Sequence, residues 1–566
     1  MKWLKQRENQ IFFSVTLVAI LVAISPLLSK YCLLGHDSDY HILRIEALKY
    51  QIEMGKPFLK VNPLYFGGMG YASSLFYPDF LLYIPAILRV LGFSIQTSYH
   101  LFMIFCVVLC YTVSYACGKR ITKNRYIGIL FAVILTLSSY HLDDIVIRAA
   151  VGEYTAFIFV PIVVYGIYNM CYEDMDKPWL LGLGMGLVLL CHTLSFVMCI
   201  AMIVLMMVFN FDVFLKKPKT LLKLISTGLV TLFITTSYWL PMVEQFLSTK
   251  FYISHPWIEP YQEAVKVESL FSFAFPTLGI GLMIMLLPRV LLFRREDDYV
   301  MKFSDQCVAS GMVFAIMATD IMPWKIMGKY FSMVQFPWRL YVVSTVLLST
   351  GAAIVVYRLA GAVCIGVTDT PKEYDNEEHI INNDNMVNKY GVMLALVLAI
   401  MSVTTIYSYS HQSREYFDYS NDYFSYVPFT ASVIAGEWLP EAVDNQDDLL
   451  ETCDNAYAAD GTVLDIVRDK NAVLVDIEKA VAFVDVPLVY YKGYSAVAEN
   501  GFSLKVDGSG INGLTRVYTG NVTGEIRVEY EGTVLQKFAS ILSFQVALGF
   551  VLLVVTFYRI KKELYG

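Results

Sequence analysis

The residues best suited to chemistry come early. The run Gly35-His36-Asp37-Ser38-Asp39-Tyr40-His41-Ile42-Leu43-Arg44 follows directly on an apolar stretch over 11–33. Two carboxylates and two imidazoles this close together can bind a divalent cation, hold a phosphate through that cation, or take a proton from a nucleophile. Asp37 and Asp39 are the candidate catalytic carboxylates, and equally the candidate ligands of an Mg2+ or Mn2+ ion. Tyr40, Leu43, Ala47, Tyr50 and Met54 recur at helical spacing, which predicts a helix ending near Gly55-Lys56-Pro57 and lying flat on a membrane surface. Asp37 or Ser38 would then cap that helix. Alternatively, the helix N-terminus would keep an aspartate ionised, ready to ligate a metal or accept a proton from a sugar hydroxyl.

Further candidates lie downstream. Asp143, Asp144, Arg148 and Glu153 form a charged stretch. It reads either as solvated loop charge or as a site where Arg148 grips a phosphate oxygen bidentately and Glu153 orients it. His192 sits between two apolar runs with almost no polar linker, a place where backbone usually lines a cavity. In Gln335-Phe336-Pro337-Trp338-Arg339, the last two residues suit either an interfacial anchor or a phosphate clamp with an aromatic floor. His255-Pro256-Trp257 offers a weaker stacking surface for a sugar. No phosphate-binding Walker loop, Gly-x-Ser-x-Gly elbow or His-Glu-x-x-His motif is present, which argues against an ATP-driven pump, a serine hydrolase and a zinc protease.

The elements that must position these residues are set by composition. The 566 residues are 56% hydrophobic, above the usual soluble range of about 45–50%, and the excess falls in long runs. Those runs are 11–33, 98–117, 126–141, 154–171, 179–192, 194–211, 223–241, 269–292, 306–320, 341–365, 390–409 and 536–558. At roughly twenty residues per crossing they predict a mostly α polytopic membrane protein with about twelve transmembrane helices. The basic start, Met1 to Arg7, reads as a retained signal anchor. Lys119–Arg125, Lys216–Lys219, Arg294, Arg295 and Arg559–Lys562 place both termini in the cytoplasm. The segment 77–92 is apolar but broken by Pro78, Pro85 and Arg89, so it reads as a re-entrant or interfacial helix. The acidic loop 368–389 falls inside.

Three domains follow: a transmembrane core over 1–409 with an outward loop at 34–97, an extracytoplasmic β-rich domain over 410–535, and a last helix and tail over 536–566. The β reading rests on short alternating stretches such as 472–476, 482–486 and 525–530, punctuated by Gly501, Gly508-Ser509-Gly510 and Gly520-Asn521; a sandwich is the expected form. Most cysteines lie within apolar runs and Cys453 stands alone in a polar region, so no disulfide framework or zinc site is expected. The net charge of -7 carries no basic block, which excludes nucleic acid as a partner.

One span, an acid-bearing outward loop with a flat helix, many further spans and a late outward domain resemble the GT-C superfamily of membrane glycosyltransferases. In that superfamily an essential aspartate in the first outward loop is followed by an aromatic residue, as Asp37 is by Tyr40. More narrowly, the chain resembles bacterial YfhO-like and 6-pyruvoyl-tetrahydropterin-synthase-related membrane proteins. The matching pieces are Gly35-His36-Asp37 with Tyr40-His41 and Arg44, Gly70-Tyr71 with Phe76-Tyr77-Pro78, Arg148 with Gly152-Glu153, Gln335–Arg339, and Tyr490-Tyr491-Lys492-Gly493-Tyr494. Nothing resembles a soluble pterin enzyme with a histidine zinc site.

The resemblance implies an enzyme of the bacterial cell membrane. It would move a sugar from a polyprenyl-phosphate donor to an envelope polysaccharide or glycolipid at the outer face of the lipid bilayer. Asp37 or Asp39 would be catalytic, and His36, His41, Arg44, Arg148, Glu153, His192, Trp338 and Arg339 would bind substrate. A lipid-linked saccharide flippase or a non-catalytic envelope assembly factor are the competing readings. A flippase would spread charge through its spans, whereas here charge gathers at their ends.

Overall fold

The computed structural model describes residues 2–255, 258–292, 298–365, 376–419 and 436–565. Pro256, Trp257, Arg294, Arg295 and the first part of the 368–389 loop lie outside the described residues. Lipid cannot satisfy backbone polar groups, so the apolar runs must close their hydrogen bonds internally as helices. Among the described residues, seven helices are long and apolar enough to cross a membrane on their own, from Lys5–Leu28 to Val534–Thr556. Two further spans are bent pairs: Arg125–Thr136 with Ser139–Val146, turned by 46°, and Pro218–Ile234 with Thr236–Ser248, turned by 77°. The remaining predicted runs coincide with the shorter apolar helices Pro178–Leu189, Thr193–Phe209 and Ile280–Leu291. The chain is a polytopic membrane protein. Tyr83–Val90, within the doubtful 77–92 segment, is a helix of eight residues, too short to span.

Without a hydrophobic drive between helices in lipid, small residues allow close approach and hydrogen bonding. The helices Tyr299–Met317 and Tyr341–Ile365 show this. A Cβ on Gly311 would lie 2.7 Å from Leu348 Cγ, and one on Gly351 would lie 2.5 Å from Val308 Cγ2. Ser344 Oγ donates to Gly311 O at 2.8 Å and Ser304 Oγ to Gly351 O at 3.1 Å.

The chain packs as two discontinuous units. One comprises 1–38, 100–229 and 256–417; the other comprises 39–99, 230–255 and 418–566. The reason lies in the core of the second unit, where Tyr65, Phe66 and Tyr71 from the first outward loop are buried with Trp438, Tyr491, Leu514 and Tyr530. Backbone bonds tie the same segments, with Val489 N–H donating to Met69 O at 2.9 Å.

Eight strands of the second unit form a closed antiparallel barrel, which replaces the expected sandwich. They are β1 (Asn455–Ala458), β2 (Val463–Asp469), β3 (Ala472–Ile477), β4 (Phe483–Val489), β5 (Tyr494–Ala498), β6 (Ser503–Asp507), β7 (Leu514–Tyr518) and β8 (Gly524–Tyr530). The order is β8-β3-β2-β1-β4-β7-β6-β5, closed by β5 on β8. Alternation buries Val473, Val475, Val484, Val486, Val517, Ile526 and Val528 inside, and closure removes free edges.

The helix expected after Asp37 spans Ser38–Glu53, and Gly55 beyond it takes the left-handed φ of 81° that favours glycine. From Asp39 onward it belongs to the second unit. Its Arg44 is 1% exposed and is committed to the 77–79 turn: Nη2 donates to Asp79 Oδ1 at 2.5 Å and to Pro78 O at 2.9 Å. His41 Nδ1 lies 3.2 Å from Arg44 Nη1. Arg44 and His41 therefore hold the loop onto the helix. Leaving a buried guanidinium without its carboxylate costs about 3–5 kcal/mol. Asp79→Asn is expected to lower stability by that order, read as an earlier melting transition of the purified, detergent-solubilised chain; an unchanged transition would remove this role.

Candidate active site

The first unit gathers the remaining candidates. Its foundation is the turn between Ser139–Val146 and Val151–Tyr172. Asp143, Asp144, Arg148 and Glu153 are each at most 3% exposed, so this stretch is a buried cluster and not the solvated loop considered above. Arg148 Nη1 donates to Asp144 Oδ1 at 2.6 Å and to Glu153 Oε2 at 2.5 Å. Its guanidinium stands 4.5 Å over the Trp338 ring. Tyr140, a residue the sequence reading passed over, donates to Glu153 Oε1 at 2.8 Å. Arg339 Nε approaches Glu153 Oε2 at 3.5 Å, while its Nη1 donates to Gln335 Oε1 at 3.1 Å and its guanidinium faces Phe336.

Asp37 meets this cluster through the backbone. His36 N–H donates to Ile147 O at 3.0 Å and Asp37 N–H to Arg148 O at 2.8 Å. The two segments touch because residue 35 lacks a side chain: a Cβ there would lie 2.7 Å from Ala149 Cβ and 2.9 Å from the Arg148 carbonyl carbon. Ala149 itself takes a left-handed φ of 53°. Ser38 fastens the other end, accepting from Gly35 N–H at 2.7 Å and donating to Leu33 O at 3.1 Å. Leu34 N–H reaches Glu415 O, and Cys32–Leu33 pairs antiparallel with Tyr416–Phe417. Among the described residues, the Asp37 carboxylate has only electrostatic neighbours, His36 and Arg148.

Aromatic contacts return the chain to the same place. The His36 ring is edge-on to Phe275 at 5.9 Å, and Phe275 is edge-on to Trp338 at 5.0 Å. Partial burial and the neighbouring Arg148 hold the His36 imidazole below its ordinary pKa, against the opposing pull of Asp37. His192 caps Thr193–Phe209, its Nδ1 accepting from Ser195 N–H at 3.3 Å, and it lies within electrostatic range of Glu153, Arg339 and Arg148. Asp37, His36, Arg148, Glu153, His192, Trp338 and Arg339 thus belong to one neighbourhood.

Asp39, His41 and Arg44 belong to the second unit. Asp39 Oδ1 accepts a hydrogen bond from the Tyr419 hydroxyl. His255, also in that unit, pairs with Glu441 at 2.9 Å; its neighbours Pro256 and Trp257 lie outside the described residues. Among the described residues, no three His, Cys, Asp or Glu side chains come together as a metal site, and Asp144 and Glu153 are already bound to Arg148. Cys106, Cys110, Cys117, Cys171, Cys191, Cys199, Cys307 and Cys453 are buried and form no disulfide.

The ion cluster makes a specific demand on stability. Glu153→Gln leaves Arg148 one carboxylate short in a dry site and is expected to cost about 3–5 kcal/mol. Asp37→Asn, which removes no side-chain hydrogen bond among the described residues, is expected to leave the melting transition in place. Equal losses in both variants would show that Glu153 is not the hub of the cluster.

The chain is similar to several known proteins. An uncharacterised protein of Lactococcus lactis subsp. cremoris is 20% identical over 346 residues, covering 56% of this chain and 55% of that protein. The chain thus spans about half the length of the curated relative it matches. Among solved structures, ArnT from Cupriavidus metallidurans bound to undecaprenyl phosphate is 14% identical, with a TM-score of 0.40 and coverage of 70% of this chain and 77% of that one. The mycobacterial arabinofuranosyltransferase AftD in its R1389S variant is 12% identical, with a TM-score of 0.43 and coverage of 70% and 27%. The family model of the 6-pyruvoyl-tetrahydropterin synthase related domain, described as a membrane protein, matches residues 75–292.

Proposed function

We propose that the chain is a membrane glycosyltransferase that moves a sugar from a polyprenyl-phosphate donor to a hydroxyl of an envelope polysaccharide or glycolipid at the outer face of the bacterial cell membrane. One observation carries the reading: an aspartate fixed by its own backbone beside the buried Arg148, with a carboxylate that makes no side-chain hydrogen bond among the described residues. The sequence resemblance to GT-C enzymes supports it, because Asp37 with Tyr40 stands where that motif has its essential aspartate and aromatic residue.

In this reaction the acceptor oxygen attacks the anomeric carbon from the face opposite the phosphate. The bond from that carbon to the phosphate oxygen breaks, and its electron pair stays on the lipid phosphate. Asp37 takes the acceptor proton. Charge growing on the departing phosphate calls for a cation within reach of it. Arg339 suits that role better than Arg148, since Arg148 is held by two carboxylates while Arg339 is 3.5 Å from its one acidic partner. Arg148 is then a positioning residue whose carbonyl holds Asp37. Lipid phosphate is a fair leaving group, so positioning and charge stabilisation supply most of the acceleration.

The assay uses purified full-length protein with a labelled polyprenyl-phosphate sugar and cell-envelope acceptor. Asp37→Asn is expected to lower transfer by about a hundredfold or more, and Arg339→Gln by about 10²–10³. Asp39→Asn, whose carboxylate already serves Tyr419, is expected to stay within a few-fold of the parent. Unaltered transfer in Asp37→Asn overturns the assignment. Movement of labelled lipid across vesicles without transfer identifies a flippase instead.

A further inference from the structure

The segment between the helices Tyr299–Met317 and Pro337–Ala362 carries an apolar surface that no role above uses. Ile321, Ile326, Tyr330, Phe331 and Met333 are 46–73% exposed. Such a cluster on a short loop is unusual for a surface meeting only water. It is not loosely held. Trp324 is buried and its Nε1 donates to Met317 O at 3.1 Å. Val265 N–H donates to Ala318 O at 3.2 Å and Asp320 N–H to Val265 O at 2.8 Å. Tyr330 and Phe331 N–H both return to Met327 O, and Val334 is buried at the far end. A buried tryptophan and a two-point backbone splint thus hold five large apolar side chains outward.

Basic residues alternate with these apolar ones. Lys325 Nζ stands 5.7 Å over the Tyr261 ring and Lys329 Nζ 4.8 Å over the Tyr330 ring. Long lysine stems lying on aromatic rings, with the ammonium at the rim, is how side chains snorkel at a lipid–water boundary. Both ends of the loop leave spans, so it cannot stray far from the bilayer. Tyr261 and Phe271, on the segment that braces it, are also exposed.

We propose that 321–333 is a membrane-surface hook, seated at the headgroup and acyl boundary of an anionic phospholipid leaflet. Ile326, Tyr330, Phe331 and Met333 enter the acyl region and Lys325 and Lys329 bind lipid phosphates. The occupant is lipid and not a protein partner because apolar and cationic groups alternate along one edge, as a phosphate-bearing interface requires. The chain runs from Met333 directly into Gln335–Arg339, so the hook sets the depth of that tract. The inference concerns lipid contact alone and stands whether or not the chain transfers sugar.

The test places an environment-sensitive fluorophore on Met333→Cys in the full chain carrying Cys364→Ser, one copy per nanodisc, the other nine native cysteines being buried. The lipids are phosphatidylcholine with or without phosphatidylglycerol, and some carry a doxyl quencher near the headgroup end of the acyl chain. The expected result is a blue-shifted emission, most of it lost to doxyl lipid and little to aqueous iodide. Quenching should be greater with phosphatidylglycerol present, and that increment should vanish in Lys325→Gln/Lys329→Gln. Emission quenched by iodide and untouched by doxyl lipid overturns the proposal, as does protection that arises only when two copies share a disc. Quenching indifferent to phosphatidylglycerol overturns the role of the two lysines. A labelled Met242→Cys control, from a half-buried position in a different helix, reports whether the substituted chain remains folded.

Discussion

Arg148 is a cation without water, and much of the first unit follows from accommodating it. An ion the size of a guanidinium loses several kcal/mol on leaving water, even after relaxation. The chain offsets this with Asp144 one helical turn earlier and Glu153 at the start of the next helix, and it lays Trp338 beneath the guanidinium plane. To bring both carboxylates to one nitrogen, the backbone must reverse within 147–150, with Ala149 in the left-handed region. That reversal turns the carbonyls of Ile147 and Arg148 toward 35–37, and a glycine at 35 is needed for the contact. The position of Asp37 is therefore a consequence of burying one arginine.

The helical framework was legible because lipid imposes one length and one composition on every span. Each apolar run meets a helix, although Pro178–Leu189, Thr193–Phe209 and Ile280–Leu291 fall short of a full crossing. The bends near Leu137–Ser138 and at Thr235 carry no proline or glycine at the break, so nothing local announced them. Alternating strands were legible in 472–530, but a sandwich and a barrel share that alternation; closure depends on β5 meeting β8, a pairing no short window contains.

The site was half legible. Sequence proximity joined Asp37 to Asp39, His41 and Arg44. A helix turns about 100° per residue, and Arg44 consequently reaches Asp79, 35 residues further on. Tyr419 claims Asp39 from 380 residues away. Charges spaced as Asp144, Arg148 and Glu153 look alike in a solvated loop and in a dry core, because helical spacing brings such pairs together in either setting. The Gln335–Arg339 tract was found as a motif, whereas its link to Glu153 needed three dimensions.

The commitments of the two arginines bear directly on which of them can meet new negative charge. Two unit charges 4 Å apart interact by about 4 kcal/mol at an effective dielectric near 20. Arg148 would have to give up two such interactions, together with its stacking on Trp338, before turning to a phosphate. Arg339 holds one longer contact to Glu153 and neutral bonds to Gln335 and Val334. A phosphate oxygen arriving beside it would compete with a carboxylate that keeps Arg148 and Tyr140 as its own partners, so releasing Arg339 leaves Glu153 satisfied. The cluster is in this way divided into a half that must stay fixed, Asp144–Arg148–Glu153, and a half that is able to respond. A fixed cation pair would also serve mere binding. A cluster with one exchangeable arginine beside an uncommitted carboxylate has what a transfer reaction needs: a proton acceptor that does not move and a charge partner that does.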